Sequence, residues 1–523
     1  MPSNRSVGRR VVALLATLAL LPGMAWSQAG TTAAPDAPAA QPIAVIPAAP
    51  PAPPEAVAAF RRLLAVHYVT PIDSSTLARA ATMQDLLALV RTDPFTDVYS
   101  PARWQSFTVA LGQSFGGIGA VLGRIRDTLV LGDVLPDGPA SEAGLEIRDR
   151  IVSIDDSAII GWSLSHAVSR IRGAPGSTVT LGIVRRGEAK TLISVLRGSV
   201  QSPSVPAASL SPNGLGIITL SQFGPDLSAN LVQTIDRMRT HGLKSLILDL
   251  RGNPGGLLEE AIRVSNLFLP QGSLLVETRY RGQAPERHLA EQPSRYPSIP
   301  LAVLVGPETA SASEIVAGAL QDRQRAIIVG RQTYGKGLVQ TSSPLAQGWM
   351  AKLTVGQWFT PAGRLIDRGV HASVDSTKPF DPEAPHSGGI QPDLVVADSV
   401  GDAADHAYKL MGKAAGAIYL ALDDEVGHFL EAHPKLPGSL DPVPGSAAHI
   451  FAVVAKTDTL DAATRTALAP WLDAQVTQRA IEARYGAGGA TIWQYPRDPQ
   501  IKAAVSALLT PTTAAAGKSN SGT

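Results

Sequence analysis

The sequence has no cysteine in its 523 residues. That excludes disulfides, zinc–thiolate centres and a thiol nucleophile, so stability has to come from packed cores. It also has almost no net charge: 45 Lys and Arg stand against 44 Asp and Glu, a balance of +1. No Lys/Arg cluster stands out, and a polyanionic partner such as nucleic acid is not expected. Beyond the first thirty or so residues no stretch has the length and apolarity of a membrane-spanning helix.

What is present begins with a targeting pattern. Arg5, Arg9 and Arg10 precede the apolar run Val11–Leu21, Pro22-Gly23 breaks it, and Ala25-Trp26-Ser27 places small residues at a cleavage site. Residues 1–27 therefore read as a secretory signal peptide, and the expected location is outside the cytoplasm, in a periplasm. An uncleaved segment would instead leave the protein at the inner membrane. No cysteine follows, so no lipid is attached there. Residues 28–54 are Ala/Pro-rich and read as a semi-extended linker.

Three segments carry helical periodicity or strand alternation in a telling order. Glu55–Tyr68 and Met83–Val90 read as amphipathic helices within an N-terminal helical region, 55–111. From Phe115 strands take over, with the glycine-rich turn Phe115–Gly119, then DGPASEAGLEIRDRIVSIDD, then a helix over Ser163–Ile171 and two further strands. From Gly216 strands and helices alternate, which predicts a mainly parallel sheet covered by helices. In such sheets ligands gather at strand carboxyl ends. Arg251-Gly-Asn-Pro-Gly-Gly256 lies at one such end and opens a helix. It is either a simple β–α turn or a source of bare N–H groups.

The stretch with most chemistry is 309–340, TASASEIVAGALQDRQRAIIVGRQTYGKGLVQ. Small residues before an apolar helix allow a tight turn that presents a serine hydroxyl among unpaired helix N–H groups. A serine needs a base, and Lys336 serves only if it is neutral, which burial favours. On their own these residues also fit an N-cap and a solvated turn lysine.

TASASEIVAGALQD followed by GRQTYGKGLVQ resembles the signature of the carboxyl-terminal processing peptidases, serine proteases of family S41 with a Ser–Lys dyad. The resemblance extends over about residues 60–396. Motif by motif, it implies Ser311 as nucleophile, Lys336 as general base and Gln340 as the amide that orients the lysine. Ser313 matches a second motif serine that is not the nucleophile. It implies an oxyanion hole built from Gly255 or Gly256 with the Ala312 N–H. Here Gly252 replaces the asparagine usual in that loop. DPFTDVYS, Thr360–Arg364 and Gly389–Asp393 resemble further family segments, the first in altered form. No histidine falls in any of these motifs.

Phe115–Gly119 and the segment after it resemble a PDZ domain. That implies a carboxylate loop at Gly116, Gly117, Ile118 and Gly119, with Ile118 and Val168 lining the pocket. An extended peptide would add to the sheet edge there, although the glycines also suit a hinge. Arg172 is a candidate link between groove and catalytic lysine, or a helix-end cation favoured by the dipole.

The expected fold is therefore α/β: a crotonase/ClpP-like catalytic core (199–396), an inserted β-rich PDZ domain (112–198) and flanking helical segments. The C-terminal helical region spans 397–509, before a disordered tail, 510–523. Residues 368–387 are expected to form an exposed loop. The expected function is an exported endopeptidase that captures unstructured, apolar protein C-termini, with no metal and no cofactor. The family resemblance admits a membrane-associated adaptor, and the terminal helices are candidate contacts between identical copies. Two other functions remain: an inactive PDZ receptor for C-termini, which an intact Ser311, Lys336 and Gln340 disfavour, and an acyl hydrolase or transferase, which leaves the PDZ module unexplained.

Overall fold

The computed structural model describes residues 51–509, apart from 112–113, 126–127, 136–137, 148, 161, 163, 186–188, 202, 369–387, 437–440 and 456–459. The leader, most of the linker, the expected 368–387 loop apart from Arg368, and the tail thus lie outside the described residues. Two compact units account for the remainder, the smaller formed by the N-terminal helices and residues 340–354.

The main parallel sheet belongs to the larger unit. Its six strands are β1 (Ala207–Leu210), β2 (Leu215–Thr219), β3 (Ser245–Asp249), β4 (Leu301–Val305), β5 (Ile327–Gly330) and β6 (Leu394–Val395), adjacent in that order. β1 is antiparallel to β2, and every other pair is parallel. The crossovers β2–β3, β3–β4 and β4–β5 carry α1 (Leu227–Thr240), α2 (Leu258–Phe268) and α3 (Ala312–Asp322).

The two-residue period of each strand divides its side chains between two cores. Leu246, Leu248, Val303, Val305 and Ile328 face α1, α2 and α3, which contribute Leu231, Ile235, Val264, Phe268, Val316 and Leu320. Ile217, Ile247, Ala302, Leu304 and Val329 face the other way, onto Ile501 and Ala504 of α4 (Pro499–Leu509). The last helix of the expected C-terminal helical region therefore packs on this sheet.

The PDZ-like module is an antiparallel sheet of Ala120–Ile125, Thr128–Val134, Arg150–Ile154, Thr178–Val184 and Thr191–Leu196, with the helix Leu164–Ile171. Its own core includes Leu131, Ile151, Leu181 and Val195. A two-stranded ribbon, Ser114–Gly117 with Gly198–Gln201, brackets it.

C-terminal helices Ser399–Met411, Ala415–Ala432, Ser446–Val454 and Ala462–Gln494 pack around Ile418, Leu422, Ile450 and Leu472. Between the first two of these helices the chain breaks at Gly412, where φ is 49°. The last of them carries Pro470 inside it.

In the smaller unit, helices Pro54–His67, Ser74–Arg79 and Met83–Leu89 bury Phe60, Leu64, Leu77 and Leu86. The Asp93-Pro94 segment is structural there. Asp93 accepts from the Phe95 amide (2.9 Å) and the Thr96 hydroxyl (2.6 Å), and Thr96 Oγ1 accepts from the Thr354 amide (3.0 Å).

Candidate active site

Three loops leave the carboxyl ends of neighbouring parallel strands: 250–257 after β3, 306–311 after β4 and 331–337 after β5. Strand order alone therefore gathers the RGNPGG loop, the serine turn and the lysine turn, as expected for an open α/β sheet.

Ser311 precedes the first residue of α3 with φ 56° and ψ −118°, a conformation that L residues rarely adopt. Such strain persists only where the surroundings over-determine it. Here they do. Ser311 N–H donates to Glu314 Oε2 (2.8 Å), and the Glu314 amide returns to the Ser311 carbonyl (2.9 Å). The Ser311 and Glu314 amides are thus each paired with a group of the other residue.

Glu314 was not singled out by the sequence reading, yet it joins two of the three loops. Its side chain is fully buried. Oε2 also accepts from Lys336 N–H (2.9 Å), while Oε1 accepts from Gly335 N–H (2.7 Å) and Thr333 Oγ1 (2.5 Å). Two amides bound to one oxygen atom cannot be further apart than the two bonds together, so the Ser311 and Lys336 backbones are neighbours. Burial pushes the Glu314 carboxyl above its ordinary value, against the pull of these four donors. A glutamate three residues after the helix-capping position was the available signal.

The lysine turn is held from its other side. Trp358 Nε1 donates to the Lys336 carbonyl (3.0 Å), and Trp358 N–H to that of Gly337 (2.9 Å). Lys336 is half-buried. Gln340 falls in the smaller unit, where its Nε2 donates to the Phe95 carbonyl (2.8 Å).

Asn253 ties the RGNPGG loop to the serine turn. Its carbonyl accepts from Ala310 N–H and Ser313 Oγ, each at 3.1 Å, and its Nδ2 donates to the Leu220 carbonyl (2.9 Å). Ser313 is therefore a buried strut between the loops. Thr309 Oγ1 adds a bond to the Leu250 carbonyl (2.8 Å). A Cβ on Gly255, where φ is 95°, would come within 2.6 Å of the Ala310 carbonyl and 2.8 Å of Ser311 Cβ, so only glycine allows this approach.

Of the oxyanion candidates, Gly255 N–H donates to Asn253 Oδ1 (2.9 Å) and reaches an oxyanion only by giving up that bond. The N–H groups of Gly256 and Ala312 have no acceptor among the described residues. The two remaining family segments support the site from below. Asp322 accepts from Ala362 N–H (2.8 Å) and from Arg364, and Asp393 pairs with both backbone groups of Ile328 at 2.8 Å.

In the PDZ-like module Gly116 and Gly117 belong to the ribbon, paired with Ser199 and Gly198. Ile118 is buried in the module core, Gly119 turns with φ 70°, and Val168 is half-buried on the helix Leu164–Ile171. Arg172 is exposed one residue beyond that helix. The buried cation there is Arg197, whose guanidinium donates to the carbonyls of Ile171 (2.7 Å) and Arg170 (2.9 Å).

Residues 214–376 match the model of peptidase family S41, and residues 130–185 match that of the PDZ domain. Over residues 214–376, then, the chain is similar to the family S41 peptidases. It is 33% identical over 295 residues to the carboxy-terminal processing protease CtpA of Bacillus subtilis (strain 168), covering 56% of this chain and 63% of that protein. A probable CtpA-like serine protease of Staphylococcus aureus (strain N315) is 31% identical over 321 residues, 61% of this chain and 64% of that one. The chain thus spans less than two thirds of the curated relatives it matches. Among solved structures, the photosystem II D1 C-terminal processing protease is 27% identical, with a TM-score of 0.39, covering 65% of this chain and 92% of that one. The family resemblance drawn from the motifs is borne out. No group of His, Cys, Asp or Glu able to hold a metal ion is found among the described residues.

Proposed function

We propose that the protein is an exported serine endopeptidase that captures unstructured, apolar C-termini in its PDZ domain and cleaves them with a Ser–Lys dyad. The observation that carries this reading is the strained Ser311 at the head of a buried helix, its amide bound to the same Glu314 oxygen as the amide of Lys336. In this mechanism Lys336 takes the Ser311 proton as the hydroxyl attacks the scissile carbonyl. The Ala312 and Gly256 N–H groups receive the oxyanion, and Gln340 orients the lysine amine. Lys336 then protonates the leaving amine, and water releases the acyl group. The core would be of the crotonase/ClpP type. Export rests on the N-terminal leader pattern, and a membrane adaptor and contacts between copies through the terminal helices belong to the same reading.

The test is cleavage of a model protein bearing an apolar, unstructured C-terminus, by wild type beside Ser311→Ala and Lys336→Ala. The expected result is cleavage by wild type, lost by more than about a thousandfold in both variants with their folding intact. Cleavage surviving Ser311→Ala would sink the nucleophile assignment.

A further inference from the structure

Because β2 to β5 follow one another in one direction, right-handed crossovers place α1, α2 and α3 on a single face of the sheet. The opposite face needs another cover, and α4 supplies it from a part of the chain well beyond the matched peptidase segment. The start of α4 meets the RGNPGG loop. Asp498 Oδ1 accepts from the amides of Gln500 (2.8 Å) and Ile501 (3.1 Å), capping the helix ahead of Pro499. Its other oxygen, Oδ2, accepts from Arg251 Nη1 at 2.7 Å.

Gln500 completes the junction. Its Oε1 accepts from the same Arg251 nitrogen (3.0 Å), and its Nε2 donates to the carbonyl of Val396 beside β6 (2.8 Å). The remaining edge of the guanidinium is bidentate on Asp249, through Nε and Nη2. The Arg251 amide also donates to Asp249 Oδ1 (3.0 Å). A planar fork held on two sides by carboxylates has a single orientation. The Asp498 side chain is 4% exposed and that of Arg251 22%, so solvent competes little. Burial works to lower the arginine pKa, but Asp249 and Asp498 outweigh it and hold the group well above its ordinary value. Two residues further on, Asn253 grips the serine turn and the Gly255 amide.

We propose that Asp498 is a positioning residue for the reaction, acting through Arg251 to fix the loop that carries the Gly255 and Gly256 N–H groups. The proposal rests on the serine peptidase reading for its catalytic consequence, but not for its structural one. Asp498 touches no reacting atom. Its effect is the placement of donors that must meet an oxyanion, and misplacing such a group by a fraction of an ångström slows the chemical step more than it weakens substrate binding.

Asp498→Asn separates the two duties of the side chain. Asparagine caps a helix as well as aspartate does, but it turns an uncharged NH2 toward Arg251. In full-length protein, kcat and KM for the tailed substrate are measured together with the thermal midpoint and amide hydrogen exchange of the 250–257 segment. Expected is a kcat at least about tenfold lower with KM within about twofold, faster exchange at 250–257, an unchanged midpoint, and recovery of most of the kcat in Asp498→Glu. If kcat is unchanged the proposal is overturned, whatever the exchange shows. A kcat that falls only together with the midpoint marks Asp498 as a fold residue and also overturns it. Should wild type cleave nothing, the peptidase reading fails by itself. Exchange then decides the loop's dependence on Asp498, with an unchanged rate counting against it.

Discussion

At the scale of single residues, Glu314 decides the geometry that the Ser311 and Lys336 turns share. Replacing it by glutamine leaves one oxygen where two accepted four bonds, so at least one of the Ser311, Gly335 and Lys336 amides loses its acceptor. The expected cost is about 1–3 kcal/mol for each buried group left unmade. The pH dependence has a definite sign. Burial raises the folded-state carboxyl above its ordinary value of 4.5. The native protein therefore holds a proton that the unfolded chain releases. The stability linked to this group is fully present below the unfolded pKa and is lost as pH rises through the folded one. Glutamine does not titrate. Wild type should thus exceed Glu314→Gln most under acid conditions, with the gap narrowing toward neutral pH. Denaturant titrations of both proteins at three pH values measure this. A gap that widened with pH would mean that the four donors, not burial, govern the carboxyl.

Elements show what the sequence could and could not reveal. Ser311, Lys336 and the RGNPGG loop were legible because small-residue turns and glycines punctuate local backbone, and local backbone is what a motif records. The crossover helices and parallel strands were legible from alternation and helical periodicity, to within a few residues at each end. What stayed hidden was contact across long sequence distances. Nothing near residue 498 says that it meets residue 251, although Asp498-Pro499 does mark a helix start. The placement of α4 leads to its own prediction. Ile501 is 1% exposed against Ile217, Ile247, Leu304 and Val329. Ile501→Ala should cost about 2–5 kcal/mol, read as a lowered denaturation midpoint of the catalytic core. A change below half a kcal/mol would show that the sheet face does not need this helix.

Over the whole molecule, the PDZ-like module and the parallel sheet have separate hydrophobic cores within one unit. The two jobs proposed for them are correspondingly separable: holding a tail and cutting a chain. Leu181 is fully buried in the module core and lies far in sequence from the 250–257, 306–311 and 331–337 loops. Leu181→Ala should destabilise that core by about 2–5 kcal/mol without touching Ser311, Glu314 or Lys336. If the module serves only to capture, KM for a protein with an apolar C-terminal tail should rise at least about tenfold while turnover of a small chromogenic ester stays within about twofold. If tail binding also switches the catalytic loops into register, ester turnover in wild type should rise when a free tail peptide is added, and the variant should lose that response. Equal cleavage of the tailed protein by both enzymes, with the module shown to be unfolded in the variant, would remove the PDZ domain from substrate selection altogether.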